Sequence, residues 1–113
     1  MNKFIKEVFK KTSINRHFEL NAFKFVKNKK IKLPVYLSAG QETISASISE
    51  ICKLKNVQPL IFPQHRCHSI YLSFGGNIEK LILELFGSHD GCTNGMGGSA
   101  SIQSKEKNIF SIN

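Results

Sequence analysis

The sequence predicts an α/β domain, rich in helix and with an incomplete sheet. Three observations lead there. Four stretches carry helical spacing of apolar residues, and one short run, Leu60-Ile61-Phe62, is wholly apolar between Pro59 and Pro63, as a buried strand would be. The order is helix, helix, strand, helix, helix and then a Gly-rich loop, which suits an α/β architecture although one strand is too few for a sheet. The last six residues, Asn108 to Asn113, have the composition of a second strand beginning.

Each element has its own local cause. Between Asn2 and Lys11, Phe4, Ile5, Val8 and Phe9 fall at helical spacing while Lys and Glu fill the other face. A weaker helical stretch covers about Asn15 to Val26, followed by a solvated turn at Lys27-Asn28-Lys29-Lys30 and an element that Pro34 ends. From Gly40 the pattern sharpens. Ile44, Ile48, Ile51 and Cys52 share one helix face, with Ser45, Ser49 and Lys53 elsewhere around it. A further helix is expected from about Cys67 to Phe74, stopped by Gly75-Gly76. Asn77 then caps a helix whose Ile78, Leu81, Ile82, Leu85 and Phe86 keep the i, i+3, i+4, i+7, i+8 rhythm, with Gly87 just past its end.

A length of 113 residues and 41% hydrophobic composition, including nine Phe, suit a modest core. No apolar run approaches the length of a membrane-spanning helix, and Met1 to Ser13 alternates Lys with apolar residues, so no membrane partner and a cytoplasmic location are the expectations. Cys52, Cys67 and Cys92 have no disulfide-framework spacing and read as free thiols. The formal charge of +8 is concentrated: residues 1–33 hold ten of the sixteen Lys and Arg against only Glu7 and Glu19. That segment reads as a basic helical N-terminal arm. It is solvated or partner-facing by preference, and a nucleic-acid or other polyanion footprint is the alternative.

Three motifs carry chemistry. In Tyr36-Leu37-Ser38-Ala39-Gly40-Gln41-Glu42, the Gly-Gln-Glu turn places Gln41 and Glu42 in a first helical turn, where free amides and the helix dipole favour a carboxylate. By itself this is an ordinary helix start. His65-Arg66-Cys67-His68 follows the short strand, and Arg66 offers a planar, permanently charged fork matched to a diphosphate; the plain alternative is a surface arginine in a salt bridge. Gly91 to Ser99 holds four glycines in nine residues, so its backbone is able to come close to a ligand, or it is simply a surface loop. Its dinucleotide-like spacing at Gly95, Gly97 and Ala100 is weak, and no Gly-Lys-Ser/Thr occurs. His65, Cys67, His68, His89 and Cys92 lack the thiolate spacing of a zinc site, and a nucleophilic Cys67 paired with an imidazole has no reactive surroundings beyond Arg66.

Taken together, these motifs resemble the start of the alpha subunit of the thiamine-diphosphate-dependent dehydrogenase component of 2-oxo-acid dehydrogenase complexes. The family pattern runs Gly-Gln-Glu, Tyr-Arg-x-His, a Glu-Leu-x-Gly helix end and Gly-x-Gly-Gly-Ser. The resemblance covers about Tyr36 to Ser101 and implies the N-terminal part of a thiamine-diphosphate-binding fold, a parallel sheet flanked by helices. Residues 34–113 are then the start of that domain, truncated.

The resemblance also implies an oxidoreductase reaction, decarboxylation of a 2-oxo acid with acyl transfer to a lipoyl group. It makes His65 and Arg66 the cofactor-binding candidates, with Tyr36 and His68 close to substrate; catalytic residues stay unassigned and no metal ligand is named in this chain. The cofactor would be thiamine diphosphate with Mg2+, its metal ligands outside these 113 residues. The partners would be a beta subunit and a lipoyl acyltransferase component. Departures are plain: His65 stands for the family's Tyr, Tyr36 for a frequent His, and Ala100-Ser101 for Met-His. A segment of this kind should be inactive alone and should expose apolar surface on the helices at 44–52 and 78–86.

Overall fold

The computed structural model describes residues 2–111, with four helices: α1 (Lys3–Lys27), α2 (Glu42–Leu54), α3 (His68–Ser73) and α4 (Ile78–Leu85). The two helical stretches expected before residue 27 are one. No Gly or Pro interrupts Lys11 to Asn15, and the side chain of Asn2 caps the start by accepting from Ile5 N at 2.9 Å. At the other end Lys29 takes φ +61°, and Lys30 N donates back to Phe25 O at 2.8 Å, closing the last turn. α4 starts where expected, with Asn77 Oδ1 accepting from Lys80 N at 2.9 Å, and ends before Gly87 at φ +75°.

The sheet expected from the sequence reduces to isolated bridges among the described residues. Ile61 pairs in parallel with Ile109: Ile61 N donates to Asn108 O at 2.8 Å and Phe110 N to Ile61 O at 2.9 Å. Ser104 and Ile109 close a tight antiparallel turn. The pairing stays this short because Pro59 and Pro63 bracket the run at Leu60–Phe62 and cannot donate to a ladder. Of the strand expected at 108–113, Ile112 and Asn113 lie outside the described residues.

Packing divides the molecule into two unlike interiors. An apolar cluster joins Phe18 and Ala22 of α1, Tyr71 of α3 and Leu81 and Leu85 of α4 to Ile31, Cys67, Ile102 and Ile109. Where α1 meets α2 and α3, the buried side chains are instead polar or small. Lys11 Nζ reaches Ser49 Oγ (2.9 Å), Ser73 O (3.0 Å) and Glu50 Oε2 (2.6 Å), and Asn15 Nδ2 donates to Ser73 Oγ at 2.8 Å. Ser45, Ala46 and Ser49 leave room for the helices to approach. The consequence for α2 is an inverted helix, with its polar face inside and Ile44, Ile48 and Ile51 exposed by 64%, 49% and 47%. On α4 the stripe divides, Leu81 and Leu85 inward, Ile78, Ile82 and Phe86 outward.

Candidate functional site

The segment from Val35 to Gly40 has no regular structure, so its backbone groups take partners from elsewhere. Tyr36 N donates to Ser99 Oγ at 2.9 Å, Leu37 O accepts from Arg66 Nη1 at 2.8 Å, and Ser38 N donates to Glu19 Oε2 at 2.9 Å. Ser38 Oγ in turn accepts from Ser69 N at 3.2 Å. This ties the segment to α1, the start of α3 and the Gly-rich loop at once. Tyr36 and His65 stack edge to face, ring centroids 5.0 Å apart at 84°.

Two of the four candidates, Tyr36 and His65, thus touch, and a third, Arg66, is tied to the residue after Tyr36 through Leu37 O; Tyr36 and Arg66 are exposed and His65 half-buried. His68 lies behind them, fully buried, with Nδ1 2.7 Å from Glu19 Oε1 and Nε2 2.8 Å from Ser99 Oγ. Beside Arg66 a groove of about 580 Å³ runs between α2 and the 59–62 segment, with Gln41, Gln64, Ile44, Ile48 and Phe62 among its walls.

The Gly-Gln-Glu turn has a structural function. Arg16 grips the buried Glu42 through both carboxylate oxygens, and Glu42 Oε1 also accepts from Gly40 N. The Arg16 guanidinium holds the Glu42 carboxyl below its usual range, against the opposing effect of burial. The Gly-rich loop is likewise organised from inside, by Glu84. This fully buried carboxylate accepts from Thr93 N (2.6 Å) and Gly95 N (3.1 Å) at Oε1 and from Gly98 N (3.1 Å) at Oε2. Burial pushes Glu84 upward more than any single bond lowers it, but the backbone donors together bring it below the usual carboxylate range.

The glycines serve that wrapping. A Cβ at Gly91 would lie 2.6 Å from Glu84 Cα, and one at Gly95, which has φ +75°, 2.7 Å from the carbonyl oxygens of Gly87 and Ser88. The loop's backbone comes close to its own chain, where the sequence left open a close approach to a ligand.

Sequence reasoning missed Glu19, Glu42 and Glu84 as organising groups. Glu84 had a signal: it opens the Glu84-Leu85-Phe86-Gly87 step and shares a helix face with Leu81 and Leu85. Glu19 had none, since its partners lie 19 and 49 residues away.

Two of the three thiols are not poised for attack. Burial pushes both Cys67 and Cys92 up to about 11, leaving them undissociated near neutral pH. Among the described residues no three metal-ligating side chains converge, and His89 and Asp90 stand out in solvent.

The family model of the dehydrogenase E1 component matches residues 10–113, and the chain belongs to that family. It is similar to three pyruvate dehydrogenase E1 component alpha subunits, each designated mitochondrial. Identity is 29% over 104 residues with subunit alpha-1 of Arabidopsis thaliana, covering 92% of this chain and 26% of that protein. It is 31% over 102 residues in Solanum tuberosum, covering 90% and 25%, and 34% over 98 residues in Schizosaccharomyces pombe, covering 87% and 23%.

The chain thus spans about a quarter of the length of the curated relatives it matches. No solved structure matches it. The mitochondrial relatives overturn the cytoplasmic location expected above. The physical ground of that expectation was too narrow, because mitochondrial targeting segments are basic and amphipathic and carry no continuous apolar core. Family membership also leaves the polyanion-binding alternative without support.

Proposed function

We propose that the chain is the N-terminal portion of the alpha subunit of a thiamine-diphosphate-dependent 2-oxo-acid dehydrogenase, and that Arg66 and His65 meet the cofactor's diphosphate. The carrying observation is that Tyr36 touches His65 while the neighbouring Arg66 holds Leu37 O, which keeps the three side chains on adjoining, solvent-reached positions. The donor set suits a diphosphate: a guanidinium that is exposed although one of its N–H groups holds Leu37 O, and an imidazole able to donate beside it.

Bound there, the cofactor would supply the electron sink for decarboxylation. This chain's residues would hold its phosphate end, and Tyr36, with a phenol that donates a hydrogen bond, would orient substrate in front of His68. Magnesium is proposed to take its oxygen ligands from polypeptide beyond these 113 residues. A beta subunit and a lipoyl acyltransferase component are the proposed partners, with pyruvate as the first substrate to try.

The outward isoleucines of α2 and the single parallel bridge at Ile61 support a role as one part of a larger sheet-centred domain. The test is complementation. The chain is combined with the downstream portion of a relative's alpha subunit, a matching beta subunit, thiamine diphosphate and Mg2+. Thiamine-dependent thermal stabilisation and pyruvate decarboxylation are then measured. Gain of both, and loss of both with Arg66→Ala, is the expected result; a complex that assembles without cofactor-dependent stabilisation refutes the reading.

A further inference from the structure

The hydrogen bonds around His68 run in one direction, each donated inward, from the Tyr36 amide to a buried carboxylate. With its proton on Nδ1, His68 donates to Glu19 Oε1 at 2.7 Å, and Nε2 accepts the hydroxyl proton of Ser99 at 2.8 Å. The Ser99 oxygen then accepts from Tyr36 N at 2.9 Å, while the second carboxylate oxygen of Glu19 accepts from Ser38 N at 2.9 Å. Beside an ionised Glu19, the opposite neutral tautomer would set an Nδ1 lone pair against a carboxylate oxygen and lose that bond.

Glu19, His68 and Ser99 are each at most 1% exposed, whereas Tyr36, where the network reaches the surface, is 36% exposed and packs against His65. Two of the four bonded backbone groups of residues 36–38 are thus held by this network, Leu37 O by Arg66 and Ser38 O by Gln41 N. A fully satisfied buried network is stiff, and what it holds inherits that stiffness.

We infer that Glu19, His68 and Ser99 form a positioning relay that fixes Tyr36 against the His65–Arg66 step, with Ser99 the residue that sets Tyr36 directly. This rests on the reading of those exposed residues as the cofactor and substrate face. None of the three relay residues touches the ligand; they determine where the residues that do touch it stand. His68 gains from this a role distinct from acting on substrate itself.

The test uses the 113-residue chain labelled with 15N. Long-range proton–nitrogen spectra read the His68 tautomer, hydrogen exchange reads the Tyr36 amide, and the Tyr36 ring-current shift is read at His65. The unaltered chain should show the Nδ1–H tautomer and a protected Tyr36 amide. Ser99→Ala should speed Tyr36 exchange roughly tenfold relative to the Leu85 amide, abolish the shift at His65 and weaken inorganic pyrophosphate binding about fivefold; Ser99→Thr should restore all three.

An unchanged Tyr36 amide and His65 shift in Ser99→Ala, or acceleration shared equally by Leu85, overturns the relay. If Ser99→Ala does not fold, the unaltered chain still decides, because an Nε2–H tautomer or an unprotected Tyr36 amide overturns it. Pyrophosphate binding undiminished by Arg66→Ala would instead remove the cofactor reading, leaving tautomer and exchange to judge the relay on their own.

Discussion

The two interiors of this molecule obey different rules. The cluster around Tyr71, Leu81, Leu85, Ile102 and Ile109 is held by apolar burial, which has no direction and tolerates adjustment. The seam between α1 and α2, and the loop wrapped on Glu84, are held by charged and polar groups that each need a particular partner. Removing one partner leaves a buried group without its bond, so the polar regions should fail more abruptly than the apolar one.

The largest expected effect comes from Glu84. Glu84→Ala strands the amides of Thr93, Gly95 and Gly98, each costing about 1–3 kcal/mol if it stays buried. The sum approaches the whole stability of a domain this small, and the variant should show no cooperative thermal transition by circular dichroism. Glu84→Gln keeps one acceptor oxygen and should fold with reduced stability. Leu81→Ala, at an equally buried position of the same helix, should cost about 2–5 kcal/mol but retain a transition. A larger loss from Leu81→Ala than from Glu84→Ala would reverse the comparison.

Acid should separate the regions next. Glu42 and Glu84 are both lowered in the folded state, Glu42 by Arg16 and Glu84 by backbone donors that outweigh its burial. A carboxylate of lowered pKa adds stability that is fully present above its unfolded value, near 4.5, and is lost as pH falls through the folded one. Denaturation midpoints should therefore stay flat with respect to these two groups above about pH 5.5 and fall steadily below about pH 4.5. The slope should shrink in Glu42→Gln. A slope unchanged by that substitution would show that the Arg16–Glu42 pair carries none of the acid response.

What could be read from sequence follows the same division. The start and end of α4 were legible because Asn77, Gly87 and a sustained apolar rhythm act within one or two turns. The run at Leu60–Phe62 was read as a buried strand; it is paired only through a parallel bridge at Ile61, between two prolines that cannot extend the ladder, and Leu60 and Phe62 stay 66% and 58% exposed. Of the candidate face, Tyr36, His65 and Arg66 were legible as residue types with suitable chemistry. Their mutual approach was not, since it depends on Ser99 and Glu19, residues distant in the chain and silent in any local pattern.

α2 gave the most misleading local pattern and supplies the smallest predicted effect. Its spacing at Ile44, Ile48 and Ile51 is that of a core-facing stripe, yet the helix turns Ser45, Ala46 and Ser49 inward because Lys11 of α1 bonds Ser49 and Ser73 of α3 bonds Ser45. An apolar stripe left about half or more exposed should be largely replaceable. Ile44→Lys and Ile48→Lys should each change unfolding free energy by no more than about 0.5 kcal/mol and raise solubility, whereas Ser45→Ile, entering the seam against Ser73, should destabilise by about 1–3 kcal/mol. In complementation with the downstream polypeptide the order should invert, with the two lysine substitutions blocking assembly. A loss of several kcal/mol from Ile48→Lys in the isolated chain would mean that this face is already packed, and that α2 belongs with the apolar interior after all.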